Sequence, residues 1–239
     1  MQDEVLKHSK KIYNTIKKPT HTFSEKIKEI AIEIFIIVFA VTLSIWLHSW
    51  SEHRHQQMEV KEFLNGLKLD LKETAENAEK ASYEYLIVKK RFVFLSSLTK
   101  SKKPNQDSLN YYFAEIIYSP NINSNSSKYE GFKSSGKIGL IENKELAQNI
   151  LIFYNQDLPD YYKSTNGWNM LNTGLNGFIM DNLVENENGT DNRLEVLTMP
   201  KAHNLCKRLI PWQQLFDCHE ILIQKAEAII KEIDKENRK

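Results

Sequence analysis

Residues 30–50, IAIEIFIIVFAVTLSIWLHSW, decide which fold this chain can adopt. A helix of this length, at about 1.5 Å per residue, is about 31 Å long and matches the hydrocarbon thickness of a bilayer. The segment is apolar around the whole helix and contains neither Gly nor Pro. These properties argue against the alternative, a core helix buried in a soluble protein. The sequence therefore predicts a single transmembrane helix over residues 30–50.

Three residues of this helix are candidates for a functional role. Trp46 and Trp50 lie toward its far end, where indole rings are enriched at the membrane–water interface. Glu33 lies one turn inside the near end, where a carboxylate can reach the lipid headgroups, and we interpret it as an interfacial anchor. The alternative is an ion-carrying group, because ionisable residues within membrane spans mark ion pathways.

Basic residues are distributed unequally on the two sides of the predicted span. Seven lysines precede it, whereas a comparable length after it contains four basic residues, Arg54, Lys61, Lys68 and Lys72. The positive-inside rule therefore places the amino terminus in the cytoplasm. No A-x-A-like cleavage site follows the apolar segment, so we expect an uncleaved signal anchor. The prediction is a single-pass inner-membrane protein with a basic cytoplasmic segment (1–29), the span (30–50) and an extracytoplasmic, periplasmic domain (51–239).

The first 18 residues have the pattern of a short basic amphipathic helix that ends at Pro19. Lysines occupy one side, and the other side carries Val5, Leu6, Ile12, Tyr13 and Ile16. Such a helix can lie on an anionic inner leaflet, which makes the lipid bilayer a predicted partner. The alternative is a frayed, solvated tail, because so short a helix is marginally stable by itself.

Beyond the span, apolar residues recur at intervals of three and four, as in a coiled coil. This predicts a helix that continues outward and ends before Pro104, with a seam made of Val60, Leu64, Leu67, Leu71, Ala75, Ala78, Ala81, Tyr85, Val88, Phe92 and Leu95. A second seam predicts one helix over residues 200–235, kinked at Pro211. It is made of Ala202, Leu205, Leu209, Trp212, Phe216, His219, Ile223, Ala226, Ile230 and Ile233. Because the two seams share a period, we expect the two helices to pack antiparallel.

Shorter helical segments lie between these two helices. They are predicted at 105–118, 129–135, 143–154 and 160–184, with Gly136 and Asn143 as caps and polar loops at 121–128 and 185–192. The fold class is therefore all-α: a single transmembrane helix that continues into an extracytoplasmic antiparallel helical bundle.

Composition limits the possible functions of the 239-residue chain. The formal net charge of +1 gives no reason to expect nucleic-acid binding. The catalytic signatures G-x-S-x-G, G-x-x-x-x-G-K-[ST], H-E-x-x-H and C-x-x-C do not occur. Ser134-Ser135-Gly136-Lys137 resembles part of a phosphate loop but lacks its first glycine, so a helix cap is the stronger interpretation. We expect no enzymatic activity, no catalytic residue and no cofactor.

Two further sets of residues could bind a metal or form a disulfide. His48, Glu52 and His55 share one helical face just outside the span, which makes them weak candidates for metal ligands. An interfacial helix turn offers the same pattern by chance, and we expect no metal. Cys206 and Cys218 would lie about 18 Å apart on one helix, too far for a disulfide unless Pro211 breaks the helix into a hairpin.

The chain resembles an uncharacterised bacterial family of single-pass membrane proteins, known only as a domain of unknown function. Three parts carry the resemblance: Glu33 through Trp50-Ser51-Glu52-His53-Arg54; Glu62-Phe63-Leu64 with Asp70-Leu71; and Tyr129, Ser134-Ser135-Gly136-Lys137-Ile138-Gly139-Leu140-Ile141, Lys144-Glu145-Leu146 and Tyr154-Asn155. The resemblance implies the same single-pass topology and no assigned activity.

These observations lead to three functional hypotheses, and the third of them, an extracytoplasmic hydrolase, would need a pocket with converging acids. The first is a membrane-anchored, non-enzymatic scaffold or sensor subunit whose helical module binds a protein partner, a ligand or a second copy of the chain. The alternative is an accessory subunit of an ion-conducting or transport complex that uses Glu33.

Overall fold

The computed structural model of the chain describes residues 2–17 and 23–238. Over these residues the chain forms helices and no strand. The nine α-helices are α1 (Gln2–Lys17), α2 (Phe23–Ser96), α3 (Gln106–Ala114), α4 (Ser127–Ser134), α5 (Lys144–Ile152), α6 (Leu158–Asn182), α7 (Arg193–Thr198), α8 (Pro200–Arg208) and α9 (Gln213–Glu236). A 3₁₀ turn occupies Lys137–Leu140, and a π turn occupies Phe153–Asp157. Pro19, the predicted end of the first helix, lies outside the described residues.

The chain divides into two compact units, Met1–Glu59 and Val60–Lys239. The first unit contains α1 and the amino-terminal part of α2. Within α2, the apolar segment is long and apolar enough to span a membrane, and most of its side chains are exposed. The all-α class and the existence of one helix that could cross a bilayer are therefore confirmed.

The second unit, which we call the helical unit, is built on the seam of α2. Ten of the eleven predicted seam residues are buried, and Ala75 is half-buried. Burial of each large aliphatic side chain contributes about 1.5–3 kcal/mol, which makes this face a substantial source of stability in the unit. The prediction of one continuous apolar face from Val60 to Leu95 is confirmed.

Contacts between α2 and α9 have the order expected of an antiparallel pair. As the position along α2 increases, the position of its partner in or just after α9 decreases: Asn65 contacts Asn237 (2.9 Å), Lys68 contacts Asp234 (2.5 Å), Tyr85 contacts His219 (ring centroids 5.4 Å apart) and Lys89 contacts the Phe216 ring (5.8 Å). Leu222, Ala226, Ile229 and Ile233 of α9 belong to the same core cluster as Leu64, Leu67 and Leu71 of α2.

The prediction of one kinked helix over residues 200–235 is wrong. The chain leaves the helical conformation after Arg208 and resumes it at Gln213. Pro211 has no N–H, and its ring disfavours the helical conformation of the preceding residue, so a complete break replaces the kink. The buried face of α9 only partly matches the predicted seam, since His219, Ala226 and Ile233 are buried as predicted. Leu215, Leu222 and Ile229 are buried in place of Phe216, Ile223 and Ile230, which are half-buried, and Trp212 is exposed.

Two details of the middle segments also differ from the prediction. The helices predicted at 143–154 and 160–184 are not separated, because the π turn joins α5 to α6. Helix α3 ends at Ala114 and not at the predicted residue 118. Ile117, which the predicted helix would direct inward, is exposed. The predicted caps are confirmed: Gly136 has a φ of 73°, and the Asn143 side chain accepts a hydrogen bond from the Leu146 N–H.

Candidate functional site

Asp70 is a buried carboxylate on the core-facing side of α2, with only 5% of its surface exposed. Its Oδ1 accepts a hydrogen bond from Lys128 Nζ at 3.0 Å, and the same ammonium group donates to the Gly66 carbonyl oxygen at 3.2 Å. A Cβ atom at position 66 would lie 3.0 Å from Cδ of Lys128. Gly66 costs a helix about 1 kcal/mol relative to Ala, and here it gives the lysine side chain room to reach Asp70.

Two stacked tyrosines extend this cluster. Tyr129 of α4 stacks on Tyr154, with ring centroids 4.3 Å apart and planes at 9°. The Tyr129 hydroxyl oxygen accepts a hydrogen bond from Asn155 Nδ2 at 2.6 Å. Tyr154 and Asn155 both lie in the π turn, a local widening of a helix that frequently occurs at functional sites. We call Asp70, Lys128, Tyr129, Tyr154 and Asn155 the Asp70 cluster.

Two buried polar atoms of the Asp70 cluster make no hydrogen bond to any described residue. They are Oδ2 of Asp70 and the hydroxyl oxygen of Tyr154. Burial, and next the negative charge of Asp70, raise the pKa of Tyr154, so its hydroxyl remains a donor. The cluster therefore presents one free carboxylate acceptor and one free phenol donor. A small polar molecule that donates to Asp70 and accepts from Tyr154 has the chemistry to satisfy both groups.

Replacing Lys128 with Met is expected to destabilise the helical unit by about 2 kcal/mol, because it leaves the buried Asp70 carboxylate without its cation. The lysine itself is 45% exposed, and solvent screening keeps the effect at this modest size. Chemical denaturation of the full-length chain in detergent measures the change. The matched control is Lys72→Met, which removes an exposed partner of Glu76 at 3.7 Å and is expected to cost less than about 0.5 kcal/mol. Equal costs for the two variants would show that the Asp70 ion pair is not structural.

A second buried polar group, His219 of α9, lies in the core. Its Nδ1 is 2.5 Å from the Leu215 carbonyl oxygen, which can only accept, so Nδ1 carries the proton. The Nε2 atom then accepts a hydrogen bond from the Tyr161 hydroxyl at 3.0 Å. Burial lowers the pKa of His219 and raises the pKa of Tyr161, so both side chains are neutral. The predicted seam position of His219 is confirmed, and its contacts are structural.

The stability of the helical unit is expected to decline as the pH falls below about 6.5, where His219 gains a proton in the unfolded chain but resists it in the folded one. The stabilisation that depends on neutral His219 is complete above about pH 7. Below that pH it decreases by up to about 1.4 kcal/mol per pH unit. Denaturation at pH 7.5 and 5.5 should show a smaller loss for His219→Gln than for the wild type. The control His203→Gln should keep the wild-type loss, and an unchanged loss in His219→Gln would contradict this assignment.

The segment between α3 and α4 is held by side chains of α2 and α6. Each of four backbone carbonyls accepts a side-chain hydrogen bond: Ile117 from Asn172 (3.3 Å), Tyr118 from Arg91 (3.1 Å), Pro120 from Tyr85 (3.4 Å) and Asn123 from Asn77 (3.0 Å). Arg91 is buried, which lowers its pKa, and Glu115 Oε2 is 3.9 Å from its NH2. This segment, predicted as the end of a helix to residue 118 followed by a polar loop, is therefore fixed against two helices.

The candidates within the span have different environments. Glu33 is buried and forms an ion pair with Lys11 of α1. Trp46 and Trp50 are exposed, and the Arg54 guanidinium lies 5.7 Å from the Trp50 ring centroid. Exposed indole rings at this end of the segment are compatible with an interfacial position.

The weak metal candidates His48, Glu52 and His55 are all exposed. Glu52 accepts a hydrogen bond from Gln56 at 3.1 Å, and His55 lies 3.7 Å from Glu59. In the part of the chain that the structure describes, no group of three His, Cys, Asp or Glu side chains is arranged to hold a metal ion.

Both cysteines are free, although the helix between them is broken at Pro211. Burial raises the pKa of Cys206 to about 12 and that of Cys218 to about 11, so both thiols are protonated and unreactive at neutral pH. Cys206 is fully buried, as expected for a small hydrophobic residue, and Cys218 is half-buried between the two core clusters.

Sequence reasoning did not identify the Asp70 cluster as a site. Asp70, Tyr129, Tyr154 and Asn155 are among the residues that carry the family resemblance, and the structure brings them together from three separate segments. Their separation of up to 85 positions hides this proximity from any local pattern. No known protein family, curated protein or solved structure matches the chain. The structure thus defines a helical protein with one helix that could span a membrane.

Proposed function

We propose that this chain is a single-pass inner-membrane protein of the uncharacterised family that it resembles. Its amino terminus is cytoplasmic, and its periplasmic antiparallel helical bundle is a non-enzymatic scaffold or sensor subunit. The exposed apolar segment of α2 and the seven lysines before it support the anchor and its orientation. The opposite chain order of the contacts between α2 and α9 supports the antiparallel arrangement.

One surface feature carries the proposal of partner binding. On α2, away from the core seam, a shallow groove of about 400 Å³ is lined by Tyr83, Leu86, Ile87, Lys89, Lys90 and Val93. Its apolar side chains are well exposed, and Tyr83 has 66% of its surface exposed. Contiguous exposed apolar side chains with a charged rim are typical of protein–protein interaction sites. The partner is a second protein or a second copy of this chain.

Site-specific photo-crosslinking tests this role in the native membrane. The photoreactive residue p-benzoylphenylalanine at position 83 is expected to give one discrete adduct, because the groove side chains are in contact with the partner. The same probe at position 72, an exposed site on α2 outside the groove, should give none. Adding Leu86→Asp to the position 83 probe should abolish the adduct, because a carboxylate would be buried in an apolar interface. No adduct at position 83, or equal adducts at both positions, would contradict the proposal.

The second candidate is an accessory subunit of an ion-conducting or transport complex. Burial of Glu33 within an apolar helical segment favours this function, because such acids mark ion pathways. Its ion pair with Lys11 supports the competing role of a structural anchor. Glu33→Gln should abolish activity at unchanged protein level if the residue carries ions, and an unchanged phenotype would remove this candidate.

A further inference from the structure

Helix α1 is attached to the start of the candidate span through an ion pair. Lys11 Nζ of α1 contacts Oε1 of Glu33, whose exposed fraction is only 5%. A carboxylate inside an apolar membrane segment is costly unless a cation pairs with it. The first helix therefore supplies the partner that Glu33 needs at this depth.

The ion pair indicates which face of α1 is directed away from α2. At 3.6 residues per turn, Lys11 lies about 140° around the helix from Leu6 and about 160° from Tyr13. Because Lys11 is directed to α2, Leu6 and Tyr13 are on the far side of α1. Their exposed fractions of 63% and 57% agree with this geometry. The part of the apolar face that carries Leu6 and Tyr13 is therefore exposed, whereas Ile12 on the same side is half-buried.

Lysines border the exposed side chains of Leu6 and Tyr13. Lys10 lies about 40° and Lys7 about 100° around the helix from Leu6, and both are exposed. Aliphatic lysine stems at the edge of an apolar face can extend their ammonium groups toward phosphates while Leu6 enters the acyl region. This arrangement is complementary to an anionic lipid surface.

We propose that α1 is an interfacial lipid-binding helix. Leu6 and Tyr13 enter the boundary of headgroups and acyl chains, Lys7 and Lys10 bind anionic lipid phosphates, and the ion pair between Lys11 and Glu33 holds the helix beside the span. This inference rests on the proposed membrane insertion of α2. It gives Glu33 a positioning role: the acid orients α1 so that its apolar face meets lipid.

The test uses the full-length chain in vesicles that contain brominated lipids, in a Cys206→Ala/Cys218→Ala background. A bimane fluorophore is attached to Leu6→Cys or to Asn14→Cys, an exposed polar position about 80° around the helix from Leu6. In vesicles with one third phosphatidylglycerol, quenching at position 6 is expected to exceed quenching at position 14 by about two-fold. In pure phosphatidylcholine, or with Lys7→Gln/Lys10→Gln, this difference should shrink.

Exchanging the charges of Lys11 and Glu33 tests the contribution of their ion pair. Lys11→Glu should reduce quenching at position 6, because two carboxylates repel each other, and Lys11→Glu/Glu33→Lys should restore it. Failure of the exchange to restore quenching would overturn the positioning role of Glu33.

A third probe separates failure of this inference from failure of the span. Bimane on Val38→Cys should be quenched strongly if α2 is inserted. Strong quenching at position 38 with equal quenching at positions 6 and 14 would overturn lipid binding by α1 and leave the span intact. Absence of quenching at position 38 would overturn both proposals.

Discussion

Trp168→Ala is expected to destabilise the helical unit by about 4 kcal/mol, within the range for deleting a large buried aromatic side chain. Trp168 is fully buried, and its ring makes edge contacts with Tyr85 and Phe92 at centroid distances of 5.5 and 5.9 Å. Its indole Nε1 also donates a hydrogen bond to the Leu209 carbonyl oxygen at 2.9 Å, at the end of α8. The substitution therefore creates a cavity and leaves a buried carbonyl unpaired at the helix break.

Denaturant titration of the full-length chain in detergent, followed by circular dichroism, measures this loss. Met170→Ala is the control: the side chain lies two positions further along α6 and is well exposed, so its removal should change stability by no more than about 0.5 kcal/mol. A loss below about 1 kcal/mol for Trp168→Ala would mean that this indole ring does not fill the core as described.

The largest effect on localisation is expected from Val38→Asp/Phe39→Asp, near the middle of the apolar segment of α2. Each aspartate at the centre of a membrane span costs about 3 kcal/mol on insertion scales, so the pair opposes insertion by about 6 kcal/mol. Both native side chains are exposed in the protein, so the folded first unit loses little internal packing. The expected result is release of most of the protein by alkaline extraction.

Two controls accompany this experiment. Val38→Leu/Phe39→Leu keeps the segment apolar and should remain with the membrane. Met58→Asp places a carboxylate at an exposed position beyond the segment and should also remain. Retention of the double aspartate variant in the membrane would contradict a role of this segment as the sole anchor.

The α2 seam was predictable from sequence because burial there follows one uninterrupted helical period. Leu64, Leu67 and Leu71 recur at intervals that a helix places on one face, and tertiary packing agrees with that local pattern. Gly136 and Asn143 were predictable for a similar reason, since each acts through its own backbone or an amide three residues away.

The carboxy-terminal break was not predicted, because the apolar period continues across Pro211 in the sequence. A kink preserves that period, whereas a break allows α9 to bury Leu215 in place of Phe216. The choice depends on packing against other helices, including the hydrogen bond from Trp168 to the Leu209 carbonyl oxygen. A local sequence pattern contains no information about such long-range packing and hydrogen bonds.

The Asp70 cluster illustrates the same limit for functional sites. Asp70 occurs among charged residues on a helix whose exposed face is rich in Glu and Lys, so its charge alone does not distinguish it. It becomes distinctive only when α4 and the π turn bring Lys128 and Tyr154 to it and it is buried. A π turn has no recognised residue pattern here, and the sequence 153–157 reads as ordinary helix.

Accessibility labelling tests the central proposal, a single crossing by α2 with the helical domain outside the cytoplasm. Single cysteines at Asn14→Cys and Asn188→Cys, in the Cys206→Ala/Cys218→Ala background, are exposed to a membrane-impermeant maleimide. In spheroplasts with an intact inner membrane, Asn188→Cys should be labelled at once, and Asn14→Cys only after the membrane is disrupted. Labelling of both positions in intact spheroplasts, or of neither, would contradict a single crossing.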